Sequence, residues 1–113
     1  MRVLILANID MGLYKFRREL LEELVKENDV YFCVPEGEFT ESIKNIGCKF
    51  VPCTLMNRHG TNPIQELKLI SFYKKVLRDI KPDIVFTYTI KCNAYGGMAC
   101  ASLGVPYVAN VTG

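Results

Sequence analysis

Two hydrophobic rhythms alternate along the chain. Residues 2–9 (RVLILANI) form a nearly continuous apolar run, the pattern of a strand covered on both faces, as in parallel sheets. From residue 13 to 27 the spacing changes. Phe16, Leu20, Leu21, Leu24 and Val25 recur at helical intervals with Glu and Lys between them, which predicts an amphipathic helix. The cycle repeats with a strand at 29–34, a short helix at 39–46 closed by Gly47, and a strand at 49–53. A polar segment, TLMNRHGTNP, leads to a long helix at 64–80, which Lys81-Pro82-Asp83 ends because a residue before proline is pushed out of the α region. A strand at 84–87, a small-residue helix at 94–103 stopped by Gly104, and a strand at 107–111 opened by Pro106 complete the pattern. Such alternation predicts one α/β domain over residues 1–113. Its architecture is Rossmann-like, three-layer α/β/α, with a parallel sheet of order 3-2-1-4-5 and right-handed crossovers.

Composition narrows the function classes. A chain of 113 residues with 50% hydrophobic content can bury one core but not two. Fourteen Lys and Arg against 12 Asp and Glu give a net charge of +2, so bulk electrostatics offers no hold on nucleic acid. Cys33, Cys48, Cys53, Cys92 and Cys100 are odd in number, form no C-x-x-C pair and fall mostly in apolar runs, where a thiol is a small hydrophobe. A reducing, cytoplasmic setting is expected. Asp10 interrupts the first apolar run and no small-residue cleavage site follows, so the N-terminus reads as a strand and not as a targeting segment. No run approaches the roughly 20 residues that cross a bilayer, which predicts a soluble or peripheral protein. The chain stops at V-T-G, where a strand-to-helix loop would begin, and a fragment of a longer protein is expected.

In a sheet of order 3-2-1-4-5 the chain reverses direction between strands one and four, and ligands bind outside the carboxyl ends of those strands. The segments NIDMGLYKFR (8–17) and TYTIKCNAYGG (87–97) should therefore face each other across a cleft, with MNRHGTNP (56–63) nearby. The first has only Gly12 in place of G-x-G-x-x-G, which argues against a dinucleotide, and no G-K-[ST] follows to make a P-loop. Lys15, Arg17 and Arg18 crowd the start of the helix, where the dipole disfavours cations. Either they meet an anion together with the helix amides, Lys15 lying closest, or Lys15 pairs with Glu19 and Arg18 with Glu22 on a solvated face. In the second segment Lys91 and Asn93 flank Cys92 and are read as ligand contacts. Gly96 and Gly97 allow close approach of either a ligand or the first strand, and Thr87 and Thr89 offer hydroxyls or simply β propensity. His59 is the lone histidine, a general base only if a substrate oxygen comes within reach. Cys92 lacks a histidine partner for a nucleophilic role. The Lys74, Arg78, Lys81 stripe could touch an anionic membrane, although cations near a helix C-terminus are favourable in any case.

The motifs D-M-G-x-Y-K-F-R, N-R-H-G-T-N-P, K-P-D-I-V-F-T-Y-T, K-C-N-A-Y-G-G and V-T-G, in this order over all 113 residues, resemble the N-terminal domain of bacterial family 4 glycosyltransferases, in particular those building capsular, O-antigen and other lipid-linked polysaccharides. The resemblance implies the N-terminal half of a GT-B fold: an acceptor-side Rossmann-like domain whose partner, a C-terminal domain in cis or a separate subunit, grips the nucleotide sugar through a paired-glutamate segment. It implies transfer with retention, mostly without a bound metal, and no resident cofactor. The partner molecule would be a saccharide or lipid-linked saccharide acceptor at the inner face of the membrane. Carried over to this sequence, Gly12, Lys15 and Phe16 match the loop after strand one, Arg58, Asn62 and Pro63 the loop after strand three, and Lys91, Asn93, Tyr95 and Gly96 the segment after strand four. Thr112 and Gly113 match the start of a threonine-glycine loop. Acceptor-site candidates are thus Gly12, Lys15, Arg58, Asn62, Thr89, Lys91, Asn93, Tyr95 and Gly96, with no catalytic residue assigned. Cys92 replaces the usual proline of K-P-N, which loosens that loop. Without the C-terminal half, the chain alone is expected not to transfer sugar. Two alternatives remain: a non-catalytic, receiver-like binding or signalling module, against which the third strand ends Val51-Pro52-Cys53 with no phosphoacceptor, and a bare folding unit that binds nothing.

Overall fold

Strand β1 (Arg2–Leu6) is apolar on both sides because it lies at the centre of the sheet. In the computed structural model, which describes residues 1–54 and 63–110, it pairs in parallel with β2 (Asp29–Val34) on one side and β4 (Ile84–Tyr88) on the other. β3 (Lys49–Pro52) extends the sheet beyond β2 and β5 (Tyr107–Asn110) extends it beyond β4, giving the order 3-2-1-4-5. The register places Leu4 between Tyr31 and Val85 and Leu6 between Cys33 and Thr87.

The pleat then distributes the apolar residues to two layers. Val3, Ile5, Val30, Phe32 and Val34 pack under α1 (Asp10–Glu27) and α2 (Thr40–Ile46), through Leu13, Leu21 and Ile43. Leu4, Leu6, Cys33 and Val85 face α3 (Pro63–Ile80) and α4 (Gly97–Leu103), through Leu69, Tyr73, Val76, Leu77, Ala99 and Cys100. All five cysteines are buried and none is in a disulfide, four of them lying on this second face. Gly47 (φ 121°) and Gly104 (φ 69°) end α2 and α4 in conformations that a β-carbon disfavours. At the amino edge Arg2 donates from Nη1 to the Ile80 carbonyl (2.7 Å), capping the end of α3. Asp83 accepts from the Arg2 amide at 2.7 Å, which locks the α3–β4 turn to β1.

Two boundaries differ from the sequence pattern, and both bear on function. β1 stops at Leu6 and α1 begins at Asp10, so DMG is helical and the connection is only Ala7 to Ile9. The cause is distant in sequence: Asp10, 3% exposed, accepts through Oδ2 from the Phe39 amide (2.8 Å) and the Thr40 hydroxyl (2.9 Å). That ties the first turn of α1 to the loop before α2. After β4, Ile90 and Lys91 are already helical, and a π-helical turn (Cys92–Gly96) runs directly into α4. The polar exit from β4 is therefore a helix entry and not a loop.

Candidate functional site

The short connections bring the carboxyl ends of β1 and β4 together at the point where the chain order reverses. Ile9 caps α1 in extended conformation and its side chain makes no capping hydrogen bond, so the first-turn amides have no side-chain partner there. Gly12 lies in that first turn, and a β-carbon built on it would meet nothing within 4 Å. Opposite, Tyr88 ends β4 and Thr89 follows with φ 77°, a left-handed conformation that is an outlier for a β-branched residue.

Between these ends lies a cleft of about 540 Å³, lined by Asn8, Ile9, Met11, Gly12, Phe16 and Arg17 on one side and Tyr88 and Thr89 on the other. Its polar groups are few. Asn8 Oδ1 is shut from solvent with no hydrogen-bond partner. The Thr89 hydroxyl is equally buried and makes no well-formed bond, and alongside it lies the Cys92 thiol, a weak partner. Arg17 crosses the cleft with its guanidinium 5.4 Å from the centre of the Tyr88 ring. Burial pushes the Tyr88 phenol up, and the Arg17 cation pulls it partly back. Phe16 is 74% exposed and Ile90 87% exposed at this end of the sheet, an apolar margin to a polar floor. An unmet acceptor, a hydroxyl, a cation and helix amides beside aromatic surface suit a polyhydroxylated ligand that carries an anionic group.

Of the candidate residues, Gly12 and Thr89 line this cleft. Lys15 turns aside, its Nζ 5.5 Å from the centre of the Phe39 ring, and Arg18 stacks over Tyr14 at 5.3 Å, so neither makes the surface ion pair open to it from spacing alone. Asn93 works as a tie. Its Oδ1 accepts from the fully buried Thr87 hydroxyl at 2.6 Å and its Nδ2 donates to the Asn110 carbonyl at 3.0 Å, joining β4, the π turn and β5. Tyr95 points to the α3 side, where the Glu66 carboxylate beside its hydroxyl raises the phenol pKa. Gly96 packs so closely that a β-carbon would lie 2.8 Å from Leu6 Cδ1 and 3.2 Å from Thr87 Cγ2. Lys91 is half-buried in the first helical turn after Thr89. Arg58, Asn62, His59, Thr112 and Gly113 lie outside the described residues. Cys92 is buried against Tyr73 (Sγ to Oη 3.4 Å), and burial raises its pKa, which makes it a core thiol. Asn8 and Tyr88 are not among the residues the sequence singles out, and Arg17 is singled out there only as one of three cations at the start of α1. Arg17 had a signal, a cation four residues after Leu13 on the apolar face of α1, and so did Asn8, a polar intrusion at the end of an apolar run.

A family model described as glycosyl transferase 4-like matches residues 2–113. The chain is 27% identical over 108 residues to the N,N'-diacetylbacillosaminyl-diphospho-undecaprenol alpha-1,3-N-acetylgalactosaminyltransferase of Campylobacter jejuni, covering 95% of this chain and 28% of that protein. Among solved structures, Acinetobacter baumannii MurG superposes with a TM-score of 0.73 at 16% identity, over 97% of this chain and 34% of MurG. A Rickettsia africae glycosyltransferase gives 0.73 at 13% identity, over 96% and 28%. The Neisseria meningitidis UDP-GlcNAc 2-epimerase gives 0.70 at 17% identity, over 96% and 32%, so the fold alone does not select the reaction. The chain thus spans about a third or less of each of these relatives. With a Rossmann-like sheet of the GT-B type and a sequence match along almost its whole length, the chain belongs to the glycosyl transferase 4-like family.

Proposed function

We propose that this chain is the N-terminal, acceptor-binding half of a glycosyltransferase. The whole enzyme would move a sugar, of hexosyl type, from a nucleotide sugar to a lipid-linked saccharide in surface polysaccharide synthesis at the cytoplasmic face of the membrane. The donor is a substrate and not a resident cofactor, and its site belongs to a C-terminal domain in cis or a separate subunit. The observation that carries the reading is the cleft at the β1–β4 switch point, where Gly12 leaves open space beside the α1 amides, Asn8 Oδ1 and Thr89. The Campylobacter relative, whose name gives a diphospho-undecaprenol-linked sugar as its substrate, supports an acceptor with both a diphosphate and hydroxyls. In this reading the α1 amides and Arg17 hold the anionic group, Asn8 and Thr89 turn their covered polar atoms into the cleft to orient sugar hydroxyls, and Phe16 and Met11 lie along the apolar part.

Gly12→Ala separates binding from folding. It adds a methyl where no protein atom lies near, and inside a helix alanine is favoured over glycine by about 1 kcal/mol. The variant should be at least as stable as the parent while binding a short-chain polyprenyl-diphospho-saccharide more weakly, by roughly tenfold for a displaced contact of 1.4 kcal/mol. Isothermal titration of parent, Gly12→Ala and Arg17→Gln with that analogue and with a nucleotide sugar tests the assignment. Tight nucleotide-sugar binding by the 113-residue chain, or an unchanged affinity for the analogue in both variants, would overturn it.

A further inference from the structure

Each of the three cations at the start of α1 lies over an aromatic ring, but only Arg17 finds its ring on the opposite wall of the cleft. Lys15 rests on Phe39 and Arg18 on Tyr14, neither of which lines the cleft, whereas Arg17 reaches Tyr88, the last residue of β4. Local spacing sets Arg17 apart. Four residues ahead of Lys15 and Arg18 stand Glu19 and Glu22, but at three and four residues on either side of Arg17 stand Leu13, Tyr14, Leu20 and Leu21. Arg17 is half-buried, and among the described residues no carboxylate pairs with it. Its hydrogen bond from Nη1 to the Phe16 carbonyl is long, at 3.4 Å. A cation partly withdrawn from water with no counter-ion is unfavourable, and a ligand anion would relieve it.

Tyr88 is a rigid partner. It is 6% exposed, belongs to the apolar layer under α1 and α2, and is held in register opposite Asn110 of β5. The guanidinium lies over this fixed ring, 5.4 Å from its centre, and its charge is felt by the phenol, whose pKa it pulls down against the effect of burial. A guanidinium resting on an aromatic face leaves the N–H groups of its edge able to donate, and its planar fork matches the paired oxygens of a phosphate. We propose that Tyr88 is a positioning residue, which presents Arg17 to the anionic group of the ligand and so makes the cleft select a phosphorylated saccharide over a neutral one. The inference rests on the acceptor reading for the identity of the ligand and adds to it the origin of the charge selectivity. Part of the entropy cost of ordering a long arginine side chain is met before the ligand arrives. Asn8 and Thr89 offer polar atoms that suit hydroxyls, which charged and neutral saccharides share, so the discrimination falls to Arg17 and the ring beneath it.

The test is isothermal titration of the 113-residue chain near neutral pH with a short-chain polyprenyl-diphospho-saccharide, with the same saccharide as its uncharged methyl glycoside, and with inorganic pyrophosphate. Tyr88→Leu removes the ring and should weaken both charged probes roughly tenfold, leaving the neutral glycoside within about twofold. Tyr88→Phe keeps the ring and should bind every probe within about twofold of the parent. In an Arg17→Gln background, Tyr88→Leu should cost nothing further, because it acts through the guanidinium. One readout needs no ligand and no destabilised variant: the Tyr88 ring current should displace the Arg17 Hδ resonances in the parent and in Tyr88→Phe, and Tyr88→Leu should return them toward the ordinary arginine position. Equal losses of charged and neutral probes in Tyr88→Leu, a loss that persists at full size in the Arg17→Gln background, or undisplaced Arg17 resonances in the parent would overturn the inference and leave the acceptor reading standing. Pyrophosphate binding with the expected pattern of variants but no binding of the diphospho-saccharide would overturn the acceptor reading and uphold the role of Tyr88. No binding of any probe would overturn both.

Discussion

Thr89 and Asn93 lie four residues apart and do different work. Thr89 holds a φ of 77°, which costs a residue with a β-carbon about 1–2 kcal/mol, and although its carbonyl accepts from the Asn93 amide at 2.9 Å, its hydroxyl makes no well-formed bond to offset that cost. Thr89→Gly relieves the strain and adds about 0.5–1 kcal/mol of unfolded-state entropy, so the two effects nearly cancel. Urea unfolding should find the variant within about 1 kcal/mol of the parent, while its affinity for the acceptor analogue falls with the lost hydroxyl. A fall well beyond that in stability would mean the side chain is a structural element. Asn93 should behave in the opposite way. Asn93→Ala leaves the buried Thr87 hydroxyl and the Asn110 carbonyl without this partner, and the unfolding free energy should drop by about 2–3 kcal/mol whether or not ligand is present.

Among the elements, the π turn is where β4 is aimed. Its glycines are not equivalent: a methyl on Gly96 would press on Leu6, fully buried, and on Thr87, whereas one on Gly97 would meet the ring of Tyr107, which is partly exposed and can swing away. Gly96→Ala should therefore cost about 1–3 kcal/mol, and Gly97→Ala clearly less, as denaturation midpoints would report. The strand and helix cores were readable in the sequence because burial on one or two faces is written at a period of 2 or 3.6, and β2 falls on the same residues, 29–34, in pattern and structure. The ends were not. Asp10 starts α1 early because its partners are Phe39 and Thr40, contacts 29 and 30 residues away that no local window contains. The π turn has no periodic signature, so Asn93, Tyr95 and Gly96 read as a ligand loop although each faces a protein neighbour. Where position follows from topology, at Gly12 and Thr89, the expected residues line the cleft. Where it depends on which way a side chain turns, at Lys15 or Arg17, the decision rests with the aromatic neighbours Phe39 and Tyr88.

For the molecule as a whole, burial of thiols sets an alkaline limit to stability. Burial raises Cys48 and Cys100 from an ordinary 9.0 to about 11 each. Both are neutral when protonated, so the folded state binds the proton more tightly than the unfolded chain. The resulting stability is complete below pH 9 and is lost as pH rises from 9 to 11, at up to about 1.4 kcal/mol per pH unit for each thiol in that window. Unfolding free energies measured from pH 7 to 11 should stay level and then fall, and Cys48→Ala should flatten the fall while lowering the plateau. The sheet has one more consequence, at β5. No described strand pairs with its outer edge, and the four residues YVAN carry no charge while Tyr107 and Val108 stand partly in solvent. Such an edge is a template for unwanted strand addition between molecules, and a single gatekeeper, Val108→Lys, should curb aggregation at high protein concentration without disturbing the interior.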